Sequence, residues 1–428
     1  MYKKHVGLTA KATAIIIVVI LIIVGVAFAA YYYSVTPKAV PPSQRGIIKV
    51  GFSISLTGNF NVEGTKSLAG IQAAAQWIND NGGITVGGKA YNISLVYYDD
   101  ASTTGNIVPL YTRLITTDKA QFLLAPYSSP LAAAAAPLAD QYNLIMISHG
   151  GASDSIWTKG YKNVFGVLSP ASMYLKTAVD YVKANHPTDK LAFLYASDPF
   201  SALAGASAAN YAKSLGLNVV YNSSYPSTIT DLSPQLTAAK ASGADDLIGG
   251  GHFNDGLLIV KQLKSVGWTP KFISLLVAVT EPQFQVQLGA AANLVTGPSQ
   301  WEKTVNYNPS VAQKEGISFF GPTTQQFLTY YSKFDPSGQP SYHSGEAAAA
   351  ILVLADAIQT ANSLDTNAVR NALLNLHIMT FFGPYQVDST GKQVAHQMVL
   401  VQWQNGKLVV VQPSEVATAP LQYPYTGS

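Results

Sequence analysis

The sequence contains no cysteine, so neither a disulfide nor thiol chemistry stands behind its fold or its function. Charge is scarce too. Asp, Glu, Lys and Arg make up 11% of the 428 residues, about half of what a soluble domain usually carries. The net charge of +3 does not describe the body of the chain. Lys3, Lys4, Lys11, Lys38 and Arg45 precede residue 46, in a stretch without a single acid. Setting those five aside leaves 21 basic against 23 acidic residues. That excludes a basic body built to hold nucleic acid. The seven histidines form no H-E-x-x-H and no paired ligand spacing, so neither a metal nor a cofactor is expected.

What is present is apolar and aromatic. Hydrophobic residues make up 48% and aromatics 11%, and the length implies two or more domains. A weakly negative body rich in aromatics suits a small-molecule binder. The run 14–33, "AIIIVVILIIVGVAFAAYYY", is long enough to span a membrane as a helix. Lysines before it place residues 1–13 in the cytoplasm, a stub too short for a signalling domain. Its length and its closing tyrosines favour an uncleaved anchor over a cleaved signal peptide. The Pro-rich linker 34–46 holds the body off the membrane. Asn92 and Asn222 open N-x-S patterns and are glycosylation candidates in an exported protein.

From Ile47 strands alternate with helices, which predicts a parallel sheet with helical crossovers. "IIKVGFSI", "YNISLVYYDD", "AQFLLAP" and "LIMIS" are strands. The alternation restarts with "KLAFLYA", "LNVVYNSSYP", "ADDLIGGG" and "KFISLL", predicting a second sheet. The end holds helices around 322–334, 343–362 and 366–376 and strands at 381–388, 396–404 and 407–412, with a hairpin turn at Asn405-Gly406. "SISLTGNF", "LAPYSSP", "MISHGGAS" and "IGGGHFND" all follow strands. Ligands bind outside such strand ends in open α/β sheets, and a cleft between two lobes would gather these loops.

Three patterns have to be weighed. Gly83–Lys89 matches most of a phosphate loop, but Ala90 replaces its Ser or Thr and a helix precedes it, so a Gly-rich hairpin is expected. His149-Gly150-Gly151 is like the oxyanion loop of some esterases, yet no G-x-S-x-G exists to carry the serine. The two glycines are expected to let backbone approach a ligand closely, and His149 either bonds that ligand or caps a turn. Phe60, Tyr127, Phe200 and Trp301 fall in predicted loops, where an aromatic can wall a pocket.

In order and spacing, "VGFSISLTGNF", "FLLAPYSS", "AAAAAPLADQYNLIMISHGGASDSIW", "YASDPFSALAGASAANYAKSLG", "SYHSGEAAAAILVLADAI" and "GPYQVDSTGKQ" together resemble the branched-chain amino-acid type of substrate-binding protein of ABC importers. The resemblance implies a type I periplasmic binding fold, α/β, with two Rossmann-like lobes joined by three hinge strands. It places lobe 1 at 47–168 plus 299–380, lobe 2 at 169–298 plus 381–413, and a tail at 414–428. Crossings are expected near 167–170, 297–300 and 380–383. It implies ligand contacts from Tyr127, Ser128 and Ser129, from the loop His149, Gly150, Gly151, Ala152 and Ser153, and from Phe200 and His252. Phe60 and Trp301 would line the pocket. An acid for a ligand ammonium is expected just after "KFISL", where no carboxylate occurs until Glu281; Asp198 could replace it. An amide, a carboxylic acid or an aromatic compound is therefore as eligible as an amino acid.

The expectation is a non-catalytic, monomeric solute-binding protein at the outer face of a prokaryotic membrane, archaea included, delivering to an ABC permease and ATPase. A ligand-sensing ectodomain with a separate membrane partner is the alternative, and an exported esterase or amidase the remote one.

Overall fold

The computed structural model describes Leu21, Val24 and residues 45–427; the expected stub, and nearly all of the run expected to span a membrane and of the expected linker, lie outside the described residues. Strand β1 (Gly46–Ile54) opens the body. From Val50 onward all of it is buried, as happens when helices cover both faces of a parallel sheet. β2 (Ile84–Val86) and β3 (Lys89–Asp99) form a hairpin about Gly87-Gly88, both at positive φ, so Gly83–Lys89 is the expected turn. With β4 (Phe122–Leu124), β5 (Met146–Ser148) and β6 (Val164–Gly166) they make a six-stranded sheet in the order β2-β3-β1-β4-β5-β6. Every pair except β2–β3 is parallel.

The second sheet begins with β7 (Lys190–Ala196), β8 (Asn218–Tyr225), β9 (Asp246–Gly250), β10 (Phe272–Leu275) and β11 (Thr296–Ser299), all parallel. The chain then builds a small sheet from β12 (Ser318–Phe319), β13 (Ile378–Thr380) and β14 (Gly383–Tyr385). It returns as the antiparallel hairpin β15 (Val399–Gln404) and β16 (Lys407–Gln412). Asn405 and Gly406 carry that turn at φ 50° and 75°. The order is β16-β15-β11-β10-β9-β7-β8.

The chain thus joins the second sheet at Val399. Residues 381–398 do not: β14 pairs with β13, Gly166 N donates to Gly391 O, and Gln393 Nε2 donates to Val167 O. The segments between the two large sheets are tied together. Ser169 N donates to Gln300 Oε1 (3.0 Å), and Gln300 Nε2 donates back to Ser169 O (3.1 Å). Ser169 Oγ donates to His396 O (2.9 Å), and His396 Nε2 meets Gln300 O at 2.7 Å.

Two helices frame the ends of the strands. Asn61–Asp80 packs along Tyr342–Ala361, an apolar helix buried on nearly every side. The approach is close. A Cβ on Gly70 would sit 2.1 Å from Ser344 O, and one on Gly64 2.0 Å from Ser55 O, so only glycine admits these contacts. Among the described residues no single helix is long and apolar enough to cross a membrane.

Candidate functional site

Parallel strands of one sheet end on the same side, and the loops leaving β4, β5, β7, β9 and β10 meet there. The junction encloses a small chamber. Tyr127, Gly150, Ala152, Tyr342, His343 and Glu346 line it from the first-sheet half. Phe200, His252 and Val277 line it from the second, and Leu168 and Tyr174 from the connecting segment. Its volume is about 10 Å3, room for one water. The halves meet around it through side chains. Tyr127 Oη lies 2.9 Å from His252 Nδ1, and Glu281 Oε1 lies 2.7 Å from His343 Nδ1. Glu63 Oε1 accepts from Phe253 N at 3.2 Å.

The chamber wall holds buried polar atoms that find no hydrogen-bond partner among the described residues. On the lining itself they are His252 Nε2, His343 Nε2 and Glu346 Oε2; beside it, on residues next to or bonded to the lining, are Glu63 Oε2, Ser128 Oγ, both ring nitrogens of His149 and Glu281 Oε2. Leaving such atoms unpaired costs about 1–3 kcal/mol each, so an ordinary core would not collect them. The site has distinct charge states. Burial pushes His252 down, but Asp198, Glu63 and Asp255 outweigh it and raise its pKa to about 9, making it an imidazolium. Burial, with His343 nearby, lowers His149 to about 3, so that ring is neutral. Burial would raise Asp198, yet His252 and the capping N–H groups hold it below the usual carboxylate range. Burial, with Glu281 close, lifts Glu346 well above that range.

Three of the four loops singled out by the sequence reach the chamber wall, through Tyr127, through Gly150 and Ala152, and through His252; so does Phe200. Other expected residues serve different ends. Ser129 Oγ accepts from Ala152 N and Ser153 N, both at 3.0 Å, and so braces one loop against the other. Ser153 Oγ lies 3.0 Å from Ser155 Oγ and 3.4 Å from Pro199 O. Asp198 caps helix Pro199–Ser214 through Phe200 N and Ser201 N and stands 3.5 Å from His252 Nε2. Phe60 sits behind the wall, its ring 4.7 Å from that of His252, and faces an outer groove of about 660 Å3.

Some expectations are corrected. Trp301 is 2% exposed, edge-on to Phe327 and Phe381, and its Nε1 donates to Phe381 O; it belongs to the core. A Cβ on Gly150 would strike Tyr127, and one on Gly151 would lie 2.4 Å from Ala132 Cβ. Both glycines thus admit neighbouring protein atoms, and Gly150 also lines the chamber. His149 reaches no serine hydroxyl, so no Ser–His pair exists there. Asn222 is exposed on β8, whereas Asn92 Oδ1 accepts from Arg45. A separate hollow of about 590 Å3 around Trp268, Lys261 and Tyr425 gathers none of the unpartnered carboxyls or imidazoles.

The sequence did not single out Glu63, Tyr174, Tyr342, His343 or Glu346, and it set Glu281 aside. One signal was available: His343 and Glu346 stand three apart just before the apolar run Ala347–Ala355 of the same helix. Residues at that spacing share a face, and polar groups on a buried face need a reason.

A family model described as periplasmic binding protein matches residues 47–407. Among curated proteins, the Leu/Ile/Val-binding protein homolog 7 of Brucella suis is 24% identical over 389 residues, 88% of this chain and 94% of the relative. Among solved structures, the branched-chain amino acid transporter substrate binding protein of Streptococcus pneumoniae, in complex with isoleucine, is similar with a TM-score of 0.72 and 23% identity. It covers 88% of this chain and 100% of its own. An ABC transporter solute binding protein of R. palustris in complex with 4-hydroxybenzoate is similar at 0.70 and 22%, covering 85% and 95%.

Proposed function

Because the chain belongs to the periplasmic binding protein family, with the type I arrangement of two parallel-rich sheets, we propose that it is the solute-binding subunit of an ABC importer. It captures a small polar solute between its two halves and presents it to a membrane permease and ATPase. Family membership carries the solute-binding role and an extracytoplasmic place in a prokaryote. Its relatives are substrate-binding proteins, not enzymes, and the chain binds without catalysing. The helix expected at 14–33 tethers it, as a monomer, to the outer face of the membrane. The solute is an amino acid, an amide or a carboxylic or aromatic acid.

One observation supports this most. The residues at the junction come from both halves, are buried, and keep polar atoms unpartnered on a shared wall. A solute entering there would supply the missing partners and be enclosed when the halves close. Opening has to break the contacts Tyr127–His252, Glu281–His343 and Glu63–Phe253, while the tied segments at Ser169, Gln300 and His396 act as the hinge. A chamber for one water cannot admit the solute unless the halves part.

Thermal melts against amino acids, amides, carboxylic acids, aromatic acids and purines test this. A ligand at about 100 times its Kd adds roughly 2.7 kcal/mol, and the melting temperature should rise by several degrees with one class. A protein indifferent to all five classes would count against import and favour contact with a sensing partner.

A further inference from the structure

We propose that Asn222 carries an N-linked oligosaccharide, and that this glycan covers a long sheet edge that the fold leaves open. The proposal rests on the extracytoplasmic place of the family and does not depend on the solute.

The two N-x-S patterns look alike in sequence, and the structure separates them. Asn92 is half-buried on β3, opposite Ile47 of β1, and its Oδ1 accepts from Arg45 Nη1 at 3.1 Å. Its amide is already held by protein. Asn222 is exposed on β8, and so is Ser224. Residues two apart in a strand point to the same side. The hydroxyl that the acceptor pattern requires therefore lies beside the amide that receives the sugar. The donor is an oligosaccharide joined through phosphate to a membrane lipid. The bond from its anomeric carbon to the phosphate oxygen breaks, and a bond to Asn222 Nδ2 forms. The lipid phosphate leaves with the bonding pair, and the amide gives up one proton.

β8 is a strand on which a glycan has something to do. A strand at a sheet edge offers its unpaired N–H and C=O groups to any second strand. The two large sheets end in β2, β6, β16 and β8. β2 and β6 are three residues long, and Gly166 N of β6 already donates to Gly391 O. β16 is covered by the chain's own tail: Thr418 N donates to Val410 O at 2.8 Å, and Val410 N to Thr418 Oγ1 at 3.1 Å. β8 is different. It is eight residues long, and among the described residues its ladder runs to β7 alone. Its sequence, "NVVYNSSY", has no charge and no proline to turn an added strand away. Its one irregularity, between the pairs Leu191–Val219 and Ala192–Tyr221, comes before Asn222 and leaves Tyr221–Tyr225 regularly paired. Asn222 sits in that regular stretch. A bulky, hydrated oligosaccharide there bars a second strand.

The test takes full-length protein from the membranes of its own host, cuts it with trypsin and weighs the peptides. Cleavage after Lys213 and Lys240 isolates residues 214–240 with Asn222, and cleavage after Lys89 and Arg113 isolates residues 90–113 with Asn92. The expected result is a whole oligosaccharide on 214–240, placed on Asn222 by fragmentation, and none on 90–113. Asn222→Gln and Ser224→Ala, expressed in the same host, should each leave 214–240 without sugar. Both side chains are exposed, so the melting temperature should move by less than about two degrees. In detergent the two sugar-free variants should form dimers whose fraction grows with concentration in sedimentation, while glycosylated wild type stays monomeric. A wild-type 214–240 without sugar, or sugar on 90–113 in its place, overturns the proposal. Glycosylated Asn222 with variants that stay monomeric at every concentration keeps the site and overturns the covering role.

Discussion

The proposed hinge and the chamber are built from the same kinds of residue at the same depth, and they treat their polar atoms in opposite ways. At the hinge, the backbone N and O of Ser169 are both bonded to the Gln300 amide, and His396 meets Gln300 O. Only His396 Nδ1 is left over. At the chamber, His149 has neither nitrogen engaged, and Glu63, Glu281, His343 and Glu346 each keep an atom free. A closed polar network fixes geometry and gains nothing from a ligand. An unfinished one destabilises the empty protein and gains its partners on binding. Burial alone does not mark a site; several unpartnered buried groups gathered around one enclosed space do.

The contrast breaks first at Gln300. Gln300→Ala strips Ser169 N and O of their partners, and two such losses should cost about 3 kcal/mol. The melting temperature of the ligand-free protein should fall by several degrees. A drop of less than one degree would mean that the crossings are held some other way.

His252 gives the next largest effect. Its pKa of about 9 in the folded protein exceeds the ordinary 6.5. A raised folded pKa contributes stability that is fully present below 6.5 and is lost as pH rises through 9. Wild type should lose roughly 2 kcal/mol more than His252→Gln between pH 6 and 9.5, the scale set by that shift and reduced for its coupling to Asp198. Urea unfolding at both pH values measures it, and parallel losses would remove the imidazolium from the wall.

Asp246 sharpens the comparison, because it has an unpartnered buried oxygen away from the chamber. It begins β9, accepts from Phe272 N at 3.1 Å, and leaves Oδ2 unbonded. Burial, with Asp189 and Asp245 nearby, raises it to about 8. A carboxyl with a raised folded pKa loses stability as pH climbs from 3.8 toward 8, since the unfolded chain releases the proton first. Asp246→Asn keeps the acceptor and removes that loss. It should stabilise the protein by about 1–2 kcal/mol at pH 7 and hardly at all at pH 4, with solute affinity unchanged. An equal gain at both pH values would show that ionisation is not the cause.

The sequence made the scaffold legible because its signals are local. "KLAFLYA" is β7 residue for residue, and Asn405-Gly406 is the turn of the last hairpin. The third crossing was misplaced because Gly383-Pro384-Tyr385 begins a real strand, one that turns back onto β13. Lobe membership is decided by pairing partners, which a single strand does not encode. Half of the site was legible for the same reason as the strands: loops after parallel strands converge. The rest arrives on Asn61–Asp80 and Tyr342–Ala361, segments more than 250 residues apart whose close contact depends on Gly70. Trp301 was misread because a loop position says nothing about depth.

Ser128 is the smallest and most discriminating case, since it stands beside a serine of the other kind. Ser129 Oγ accepts two backbone N–H groups, so its hydroxyl is already part of the scaffold. Ser128 Oγ is as deeply buried and has no partner among the described residues. Ser128→Ala therefore removes no hydrogen bond from the ligand-free protein. It should shift stability by no more than about 0.5 kcal/mol, whereas Ser129→Ala should destabilise by exposing two unpaired donors. If Ser128 Oγ bonds the solute, Ser128→Ala should weaken affinity about tenfold, the worth of one neutral hydrogen bond. Calorimetry with the responding solute checks the affinity, and melts of the ligand-free variants check the stability. A destabilised Ser128→Ala with unchanged affinity would move Ser128 to the scaffold beside Ser129. The rule separating chamber from hinge would then fail at a residue directly beside the lining residue Tyr127.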